Sequence, residues 1–273
     1  WREASRQAGI GKEQIEAAGF GIAGYDWPFQ YMQTLESVKI LGLSSERLRI
    51  ENDAVPPIYA GTTHGWGIAA CVGTGNNVRG LDAQGRSARI TGNSSAFGEF
   101  GGAAEIMQVV LQRLAWMWTG RGKATQLADI LVQDCGASSL GDLIEGLVAG
   151  RYELKACQAP LVVQAAQAGD AVAEQVLIWN AQELAQSVLA VAAQLDLTSQ
   201  PFEVVMSGHL FAACDRYRQA FSELVLSSAQ QADCRLFSAP PVVGAVLMAM
   251  KACGLDLKKP RKTILASFQD SMQ

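Results

Sequence analysis

Apolar and polar positions in the first sixty residues alternate between strand-like runs and helical repeats. Short apolar runs predict strands over residues 17–24 and 46–53, and the second of these ends at Asp53. Between them, residues 29–43 carry apolar side chains three and four apart, which predicts an amphipathic helix. Residues 54–63 can begin another helix, because prolines are tolerated in a first helical turn. This alternation indicates an α/β layer with parallel strands.

The pattern changes near residue 64. Residues 65–75, which read GWGIAACVGTG, predict a strand and a tight turn, and a second strand and turn follow them. Residues 97–197 are predicted to be mostly helical, with the longest helical stretch at 171–195. The other predicted elements are a helix at 1–9 that includes Trp1, a strand at 202–210, a helix at 217–228, an extended segment at 233–240 and a buried helix at 240–254.

The charge balance argues against a nucleic-acid surface. The chain carries 22 Lys and Arg against 26 Asp and Glu, a net charge of −4, whereas nucleic-acid binding needs a dense basic face. The one basic cluster, Lys258, Lys259, Arg261 and Lys262, is predicted to be a solvated tail. We therefore expect no nucleic-acid partner.

Cysteine and histidine usage indicates a reduced, cytoplasmic protein. The six cysteines show no CxxC spacing, so we expect no disulfide framework. With only two histidines, we expect no metal site built from His and Cys. The longest strongly apolar run, residues 240–250, is too short to span a bilayer, and there is no signal peptide in the sequence, so we expect no membrane partner.

Four motifs occur in a fixed order: GYD after the first strand, ENDA before a helix, VGTGNN at a hairpin, and MSGHLF followed by PPVVGAVLMA. Together they resemble the N-acetylglucosamine kinase and BadF/BadG/BcrA/BcrD ATPase family of the actin–hexokinase–Hsp70 superfamily, over most of residues 19–254. The resemblance implies a two-domain, actin-like (ribonuclease H-like) α/β ATPase fold. It also implies that ATP lies in a cleft between the domains, where one hairpin from each domain grips its phosphates.

The same resemblance implies a division of the chain. Residues 1–63 would form a partial N-terminal ATPase-fold domain, and residues 64–250 a helix-rich C-terminal one with a helical insertion. Residues 251–273 would form a C-terminal tail that packs back on the first domain. The family's first phosphate hairpin, Asp-Gly-Gly-Gly-Thr, is not found in this sequence. Either a segment upstream of Trp1 is missing, which we expect, or the protein has lost that hairpin. We expect the chain as given to be a poor catalyst.

The turn after the third strand matches the family's second phosphate hairpin. Gly73, Thr74, Gly75 and Asn76 would bind phosphate, because glycines let backbone N–H groups approach phosphate oxygens and a threonine hydroxyl adds a donor. Taken alone, a glycine-rich turn is more often an ordinary tight hairpin. Only its position between the neighbouring motifs favours the phosphate site.

Two aspartates match family positions on the sugar side. Asp53 corresponds to the general base that takes the proton from the sugar hydroxyl, and the alternative is a helix cap. Asp26 falls in the substrate loop, and the alternative is an exposed turn aspartate.

The adenosine side is matched by Ser207, Gly208, His209 and Gly244. Here the resemblance implies that glycine lets the base and ribose lie against the backbone. Close packing of a helix on a strand also requires glycine, so both explanations stay open.

The stretch TGNSSAFGEFGGAAEI departs from the family. Its sugar kinases carry a Trp-Gly pair and an Asp-Glu pair there, whereas this chain has Asn93 and Glu99 at about those places. Both are expected to bind substrate. The alternative for Glu99 is that it complements the dipole of a nearby helix.

The function implied by the resemblance is phosphorylation of a hydroxyl on an amino sugar or related hexose, with ATP and Mg²⁺ as cofactors and a homodimer as the assembly. One alternative is an ATPase that activates another enzyme through a shared iron–sulfur cluster, for which Cys71 is the candidate ligand. Another is a non-catalytic regulator that binds sugar or nucleotide.

Overall fold

The structure is a computed structural model that describes residues 2–270 of the 273. The strands are β1 (Ala18–Ile22), β2 (Leu48–Asn52), β3 (Gly67–Val72), β4 (Asn76–Leu81), β5 (Ser87–Arg89), β6 (Phe202–Ser207) and β7 (Ala232–Leu236). The α-helices are α1 (Arg2–Ala8), α2 (Tyr31–Lys39), α3 (Pro56–Gly61), α4 (Ala103–Trp118), α5 (Leu127–Cys135), α6 (Leu140–Val148), α7 (Ala159–Gln167), α8 (Ala171–Gln194), α9 (His209–Ala213), α10 (Asp215–Ser228), α11 (Pro241–Ala252) and α12 (Lys258–Asp270). The predicted elements are confirmed in kind and order, except that His209 and Leu210, predicted at the end of a strand, begin α9. Trp1 lies outside the described residues.

A two-stranded parallel sheet, β1 beside β2, forms the first layer. Alternate residues of β2 are buried, and they pack with α2 in a small apolar cluster. The members of that cluster are Leu35, Val38, Leu43, Leu48 and Ile50. We call β1, β2 and α2 the small lobe.

A five-stranded sheet forms the second layer, in the order β5-β4-β3-β6-β7. The pairs β3–β4 and β4–β5 are antiparallel, while the pairs β3–β6 and β6–β7 are parallel. Successive β3 residues alternate between two packed faces: Ile68 and Ala70 belong to the main core, and Ala69 packs with Ile58 of α3. We call this sheet, with α4–α10, the large lobe.

Helices cover both faces of the large sheet. The main core joins it to α4, α8 and α10, and its largest fully buried side chains include Tyr217, Phe211 and Phe221. α8 is long and apolar enough to cross a bilayer by length and composition, but half of its most apolar window is buried inside the protein. α8 therefore serves here as the central helix of a core.

α3 and α11 lie between the two sheets. Ile58 of α3 packs on the large sheet, and Ala245 of α11 packs against Gly19 of β1. A Cβ on Gly244 would overlap the Pro56 carbonyl oxygen, so glycine permits the close approach of α11 to α3. Packing alone accounts for glycine at this position.

The prediction of a solvated tail is wrong. Residues 258–270 form α12, and the Arg261 guanidinium is half-buried and donates a hydrogen bond to the Ala60 carbonyl oxygen at 2.8 Å. Ile264 and Leu265 pack near Ala60 and Leu247 in a further apolar cluster. The apolar residues of α12 pack the segment on α3 and α11. The many charged residues around them obscure this apolar pattern in the sequence. The division of the chain at residues 63 and 64 stays a prediction.

Candidate functional site

The Gly73–Gly75 turn joins β3 to β4 at the carboxyl end of β3. Its carbonyl oxygens point at the start of α4: Ala103 N–H donates to the Gly73 oxygen at 3.0 Å, and Ala104 N–H donates to the Thr74 oxygen at 2.7 Å. Within residues 2–270, the Thr74 hydroxyl and the Thr74 and Gly75 amides have no protein hydrogen-bond partner. The Gly73 N–H donates to the Gly75 oxygen across the turn at 2.8 Å. The turn therefore holds the Gly73 and Thr74 oxygens against the helix and leaves the Thr74 and Gly75 amides and the Thr74 hydroxyl unpaired.

Glu105 fixes the start of that helix. It is 1% exposed, and its carboxylate accepts the Gly102 N–H at 2.8 Å, as in a capping box. The amide of the neighbouring Asn76 has both polar atoms buried and unpartnered in the described part of the chain. A buried polar side chain in this state needs a hydrogen-bond partner such as a ligand or water.

Asp53 follows β2 directly and is exposed. The helix-cap alternative is wrong, because α3 begins at Pro56 after Val55, and no side chain caps it. Partial loss of hydration and, second, the negative charge of Asp26 raise the pKa of Asp53, while Arg79 opposes them. The carboxylate is thus an accessible proton acceptor whose basicity its neighbours increase.

Asp26 is not an exposed turn residue, so that alternative is wrong as well. Its side chain is 13% exposed, and its Oδ1 accepts from Arg79 Nη2 at 2.6 Å and from Asn77 Nδ2 at 2.9 Å. Asn52 Nδ2 also donates to it at 3.2 Å. Among the described residues no group bonds Oδ2, so one carboxylate oxygen stays available to a hydroxyl.

These residues join the two lobes. Asp26, Asn52 and Asp53 come from the small lobe, while Asn77 and Arg79 project from β4 of the large lobe. We call this set the interlobe site. A second link lies beside it, where the Arg89 guanidinium stacks 3.9 Å from the ring centre of Trp27.

Cys71 relates the interlobe site to the phosphate turn. It pairs with Asn77 across β3 and β4, two residues before Gly73. Burial raises the pKa of the Cys71 thiol to about 12, and the negative charge of Asp53 adds to the shift. Asn77 also donates to Asn52, the residue before Asp53, at 3.2 Å, so these contacts link Asp53 to the strand that carries the turn.

Glu99 organises a loop. It is 7% exposed, and its two carboxylate oxygens accept the backbone N–H groups of Thr91 at 2.5 Å and Asn93 at 3.0 Å. The helix-dipole alternative is wrong, because Glu99 contacts this loop and Glu105 is the acid in the first turn of α4. Asn93 is exposed, and its amide donates to the Thr91 oxygen at 2.9 Å. Direct contact of Asn93 or Glu99 with a substrate stays a prediction.

The expected adenosine residues lie at the carboxyl end of β6, beside β3. Gly208 has φ +124°, and a Cβ there would overlap the Val72 carbonyl oxygen, so the backbone itself requires glycine. A cavity of about 430 Å³ opens next to it, lined by Gly73, His209 and apolar residues of α7 and α9. Ser207 pairs with Cys71 in the sheet. The structure therefore brings His209 and Gly73 together at one cavity, whereas Gly244 lies at the α3–α11 contact.

Sequence reasoning missed three polar residues of the interlobe site. Asn52 is 3% exposed and Arg79 8% exposed. Asn77 donates both to Asn52 Oδ1 and to Asp26 Oδ1, the oxygen that Arg79 also contacts. The signal was present, because Asn52 stands beside Asp53 in ENDA, and Asn77 and Arg79 share one face of the predicted hairpin. The described residues hold no cluster of three or more His, Cys, Asp or Glu side chains that could ligate a metal.

Sequence comparison identifies related proteins over nearly the whole chain. The model of the BadF/BadG/BcrA/BcrD ATPase family matches residues 1–249. An N-acetyl-D-glucosamine kinase of Dictyostelium discoideum is 24% identical over 237 residues, which cover 85% of this chain and 74% of that protein. An N-acetylmuramic acid/N-acetylglucosamine kinase of Clostridium acetobutylicum is 24% identical over 252 residues, 90% of this chain and 82% of that protein.

Structural comparison adds the fold. A crystal structure from Chromobacterium violaceum, whose proposed assignment is N-acetylglucosamine kinase, superposes with a TM-score of 0.63 at 22% identity. The match covers 90% of this chain and 80% of the other. At this identity the similarity establishes the architecture alone.

Proposed function

The chain belongs to the BadF/BadG/BcrA/BcrD ATPase family, and from this membership we propose that it is an ATP-dependent kinase for a hydroxyl of an amino sugar or related hexose. The family and the actin-like α/β fold expected from the four motifs are confirmed. Two relatives are N-acetylglucosamine kinases, one of them also an N-acetylmuramic acid kinase. These names favour an N-acetylated amino sugar as the substrate class.

The observation that carries the proposal is the pairing of an accessible carboxylate with unpaired donors. Asp53 of the small lobe is exposed and its pKa is raised. The preceding Asn52 accepts a hydrogen bond from Asn77, the β4 residue that pairs with Cys71 of β3. The Thr74 hydroxyl and the Thr74 and Gly75 amides stand at the end of β3. Phosphoryl transfer needs a positioned base and phosphate donors more than covalent chemistry from the protein.

The residues fit ATP in two respects. Backbone amides without protein partners and the Thr74 hydroxyl match phosphate oxygens. The cavity beside Gly73 and His209, of about 430 Å³, has the size and the apolar lining that a nucleobase needs. We propose that Mg²⁺ arrives with the nucleotide and supplies charge neutralisation at the phosphates, because this ion commonly takes one or two carboxylates plus phosphate oxygens.

In the proposed reaction, Asp53 accepts the proton of the sugar hydroxyl as that oxygen bonds to the γ-phosphorus and the bond to the ADP oxygen breaks. Asp26 holds the sugar through its open Oδ2, while Arg79 and Asn77 fix its other oxygen. Glu99 shapes the loop that carries Asn93. Approach of the lobes excludes water, which protects ATP from hydrolysis.

The iron–sulfur alternative finds no support at Cys71. Its thiol is buried and has a pKa near 12, so it is not a surface thiolate ready to be shared with a partner. The regulator alternative predicts ligand binding without turnover.

We also propose that the protein acts in the cytoplasm as a homodimer. The helical part of the large lobe exposes large apolar side chains, among them Trp118 and Val148, with Val148 87% exposed. Sedimentation velocity tests this assembly: we expect a dimer, and a Val148→Asp variant that is monomeric. A monomeric wild-type protein would contradict it.

Sugar-dependent ADP release by the full-length protein tests the kinase proposal. With Mg²⁺ and a panel of N-acetylated and plain hexoses, we expect turnover with an N-acetylated amino sugar above all. ATP binding without turnover on any sugar would refute the kinase and favour the regulator.

A further inference from the structure

A second cavity, of about 900 Å³, lies at the β7 edge of the large sheet, beside the residues that lead into β3. It is bounded by the end of α3, the Thr62–His64 segment, β7 and α12. β3 begins just after this segment, and its 6 residues span about 20 Å at about 3.3 Å each. The cavity is therefore separate from the interlobe site and from the nucleotide cavity.

The polar lining of this cavity is basic. It consists of Thr62, Thr63, His64, Arg235, Arg261, Lys262 and Thr263. None of its described lining residues is acidic. A basic cavity in a chain of net charge −4 indicates a local preference for anions.

Arg235 has its charge balanced within the protein. It forms ion pairs with Glu203 at 2.5 Å and with Asp233 at 2.6 Å. Its Nη1 also donates to the Thr63 hydroxyl at 2.9 Å. Arg235 therefore lines the cavity with its charge already paired within the protein.

Arg261 and Lys262 differ from Arg235 in that, in the part of the chain that the structure describes, neither forms an ion pair with a carboxylate. Arg261 is half-buried, and its one hydrogen bond goes to a carbonyl oxygen, that of Ala60. Burial is the largest cause of the lowered pKa of this guanidinium. The charge of Glu203 opposes this lowering of the pKa and that of Arg235 adds to it. A half-buried cation with no carboxylate in direct contact carries a desolvation cost that a bound anion would offset.

We propose that this cavity binds a phosphorylated small molecule, with its phosphoryl group between Arg261 and Lys262. The planar guanidinium matches phosphate oxygens in pairs, and a lysine adds a point charge. Two cations balance a phosphoryl dianion, and the exposed Thr263 hydroxyl is a further donor. The hydroxyls of Thr62 and Thr63 already donate to the Ile58 oxygen and to Glu203. The volume is in the range of small-molecule sites and exceeds what inorganic phosphate alone would fill, so a ligand of hexose phosphate size fits.

Calorimetric titration with glucose 6-phosphate and with inorganic phosphate tests this site. We expect Arg261→Gln to weaken binding about tenfold and Lys262→Gln about threefold, as for lost charge-assisted hydrogen bonds. Lys262 is exposed, so its variant reports on the site even where Arg261→Gln impairs folding. Lys123→Gln makes the same charge change at an exposed lysine of the large lobe and is expected to leave the affinity unchanged.

The outcomes separate the possible ligands. Tighter binding of glucose 6-phosphate than of phosphate supports a phosphorylated sugar, and equal binding supports free phosphate as the ligand. Thr74→Val at the phosphate turn should leave both affinities unchanged. No binding of either probe at about 10 mM, equal loss in Lys123→Gln, or loss in Thr74→Val would overturn the proposal.

Discussion

The two lobes differ in how they are held together. The large lobe is built on one continuous core, in which side chains such as Tyr217 and Phe221 are fully buried. The small lobe has a cluster of only five buried apolar residues, each still 6–7% exposed, and its strand β1 is largely half-exposed. The phosphate turn therefore belongs to the well-packed large lobe. Asp53 belongs to the small lobe, whose position depends on its contacts with the large lobe.

This difference assigns a second role to the interlobe site. The ion pair between Asp26 and Arg79, with side chains 13% and 10% exposed, is the strongest polar link between the lobes. Stability rises with the number of buried contacts, so the small lobe is expected to open locally before the large lobe unfolds. Amide hydrogen exchange should be faster in β1 than in β3.

The largest effect is expected from breaking that link. Arg79→Met leaves the Asp26 carboxylate mostly buried without its cation, which costs about 3–5 kcal/mol for a buried pair. The matched control is Arg216→Met, which removes a surface pair with Glu174 and should cost about 0–1 kcal/mol. Urea unfolding of both variants measures the difference. Equal losses would show that the interlobe pair does not hold the small lobe.

A smaller loss is expected inside the large lobe at Gly208. Gly208→Ala adds a Cβ that overlaps the Val72 carbonyl oxygen at φ +124°, and we expect about 2–3 kcal/mol of destabilisation. Gly120→Ala is the control, because that glycine has φ +76° and open space around it, so about 1 kcal/mol is expected. If both variants lose the same free energy of unfolding, backbone strain alone explains Gly208.

A still smaller effect is expected at the Thr74 hydroxyl, the proposed phosphate donor of the large lobe. Thr74→Val removes an exposed hydroxyl, so stability should not change, but the affinity for the ATP analogue AMP-PNP should fall by about 1 kcal/mol, or about fivefold. Thr198→Val, at an exposed threonine far along the chain, should bind normally. Fluorescence titration compares them, and unchanged affinity in Thr74→Val would remove the hydroxyl from the phosphate site.

The smallest expected effect is a shift in the pH dependence of kcat/KM, which follows from the pKa of Asp53. The Asp26 charge raises the pKa of Asp53 and Arg79 lowers it, so Asp26→Asn should lower this pKa on both counts. The base works deprotonated, and activity is lost as pH falls through its pKa. The acid limb of kcat/KM should therefore move to lower pH in Asp26→Asn, and a shift to higher pH would contradict the assignment.

The order and kind of most helices and strands could be predicted from the sequence. Alternating burial in β2, a continuous apolar run in β3 and helical spacing in α2 and α8 follow from which faces are buried, so the order of elements and the parallel strands of the first layer could be predicted. The resemblance implied a C-terminal segment that packs on the first domain, but local patterning did not predict the α12 helix, because its charges masked the few apolar residues that pack near Ala60.

The candidate site was predictable only in part. Asp53 and the Gly73–Gly75 turn stand in motifs, but the Arg79 contact with Asp26 joins residues 53 positions apart. No local pattern encodes such a pair. Glu99 shows the converse limit, because its position in the sequence suggested a ligand, while its two oxygens accept backbone amides.

The most direct test of the account compares wild type and Asp53→Asn in the full-length protein, with sugar-dependent ADP release measured beside AMP-PNP affinity. The account predicts sugar-dependent turnover that falls by about 10²–10⁴ in the variant, as for loss of a general base, with nucleotide affinity unchanged. Turnover that survives the substitution would contradict Asp53 as the base.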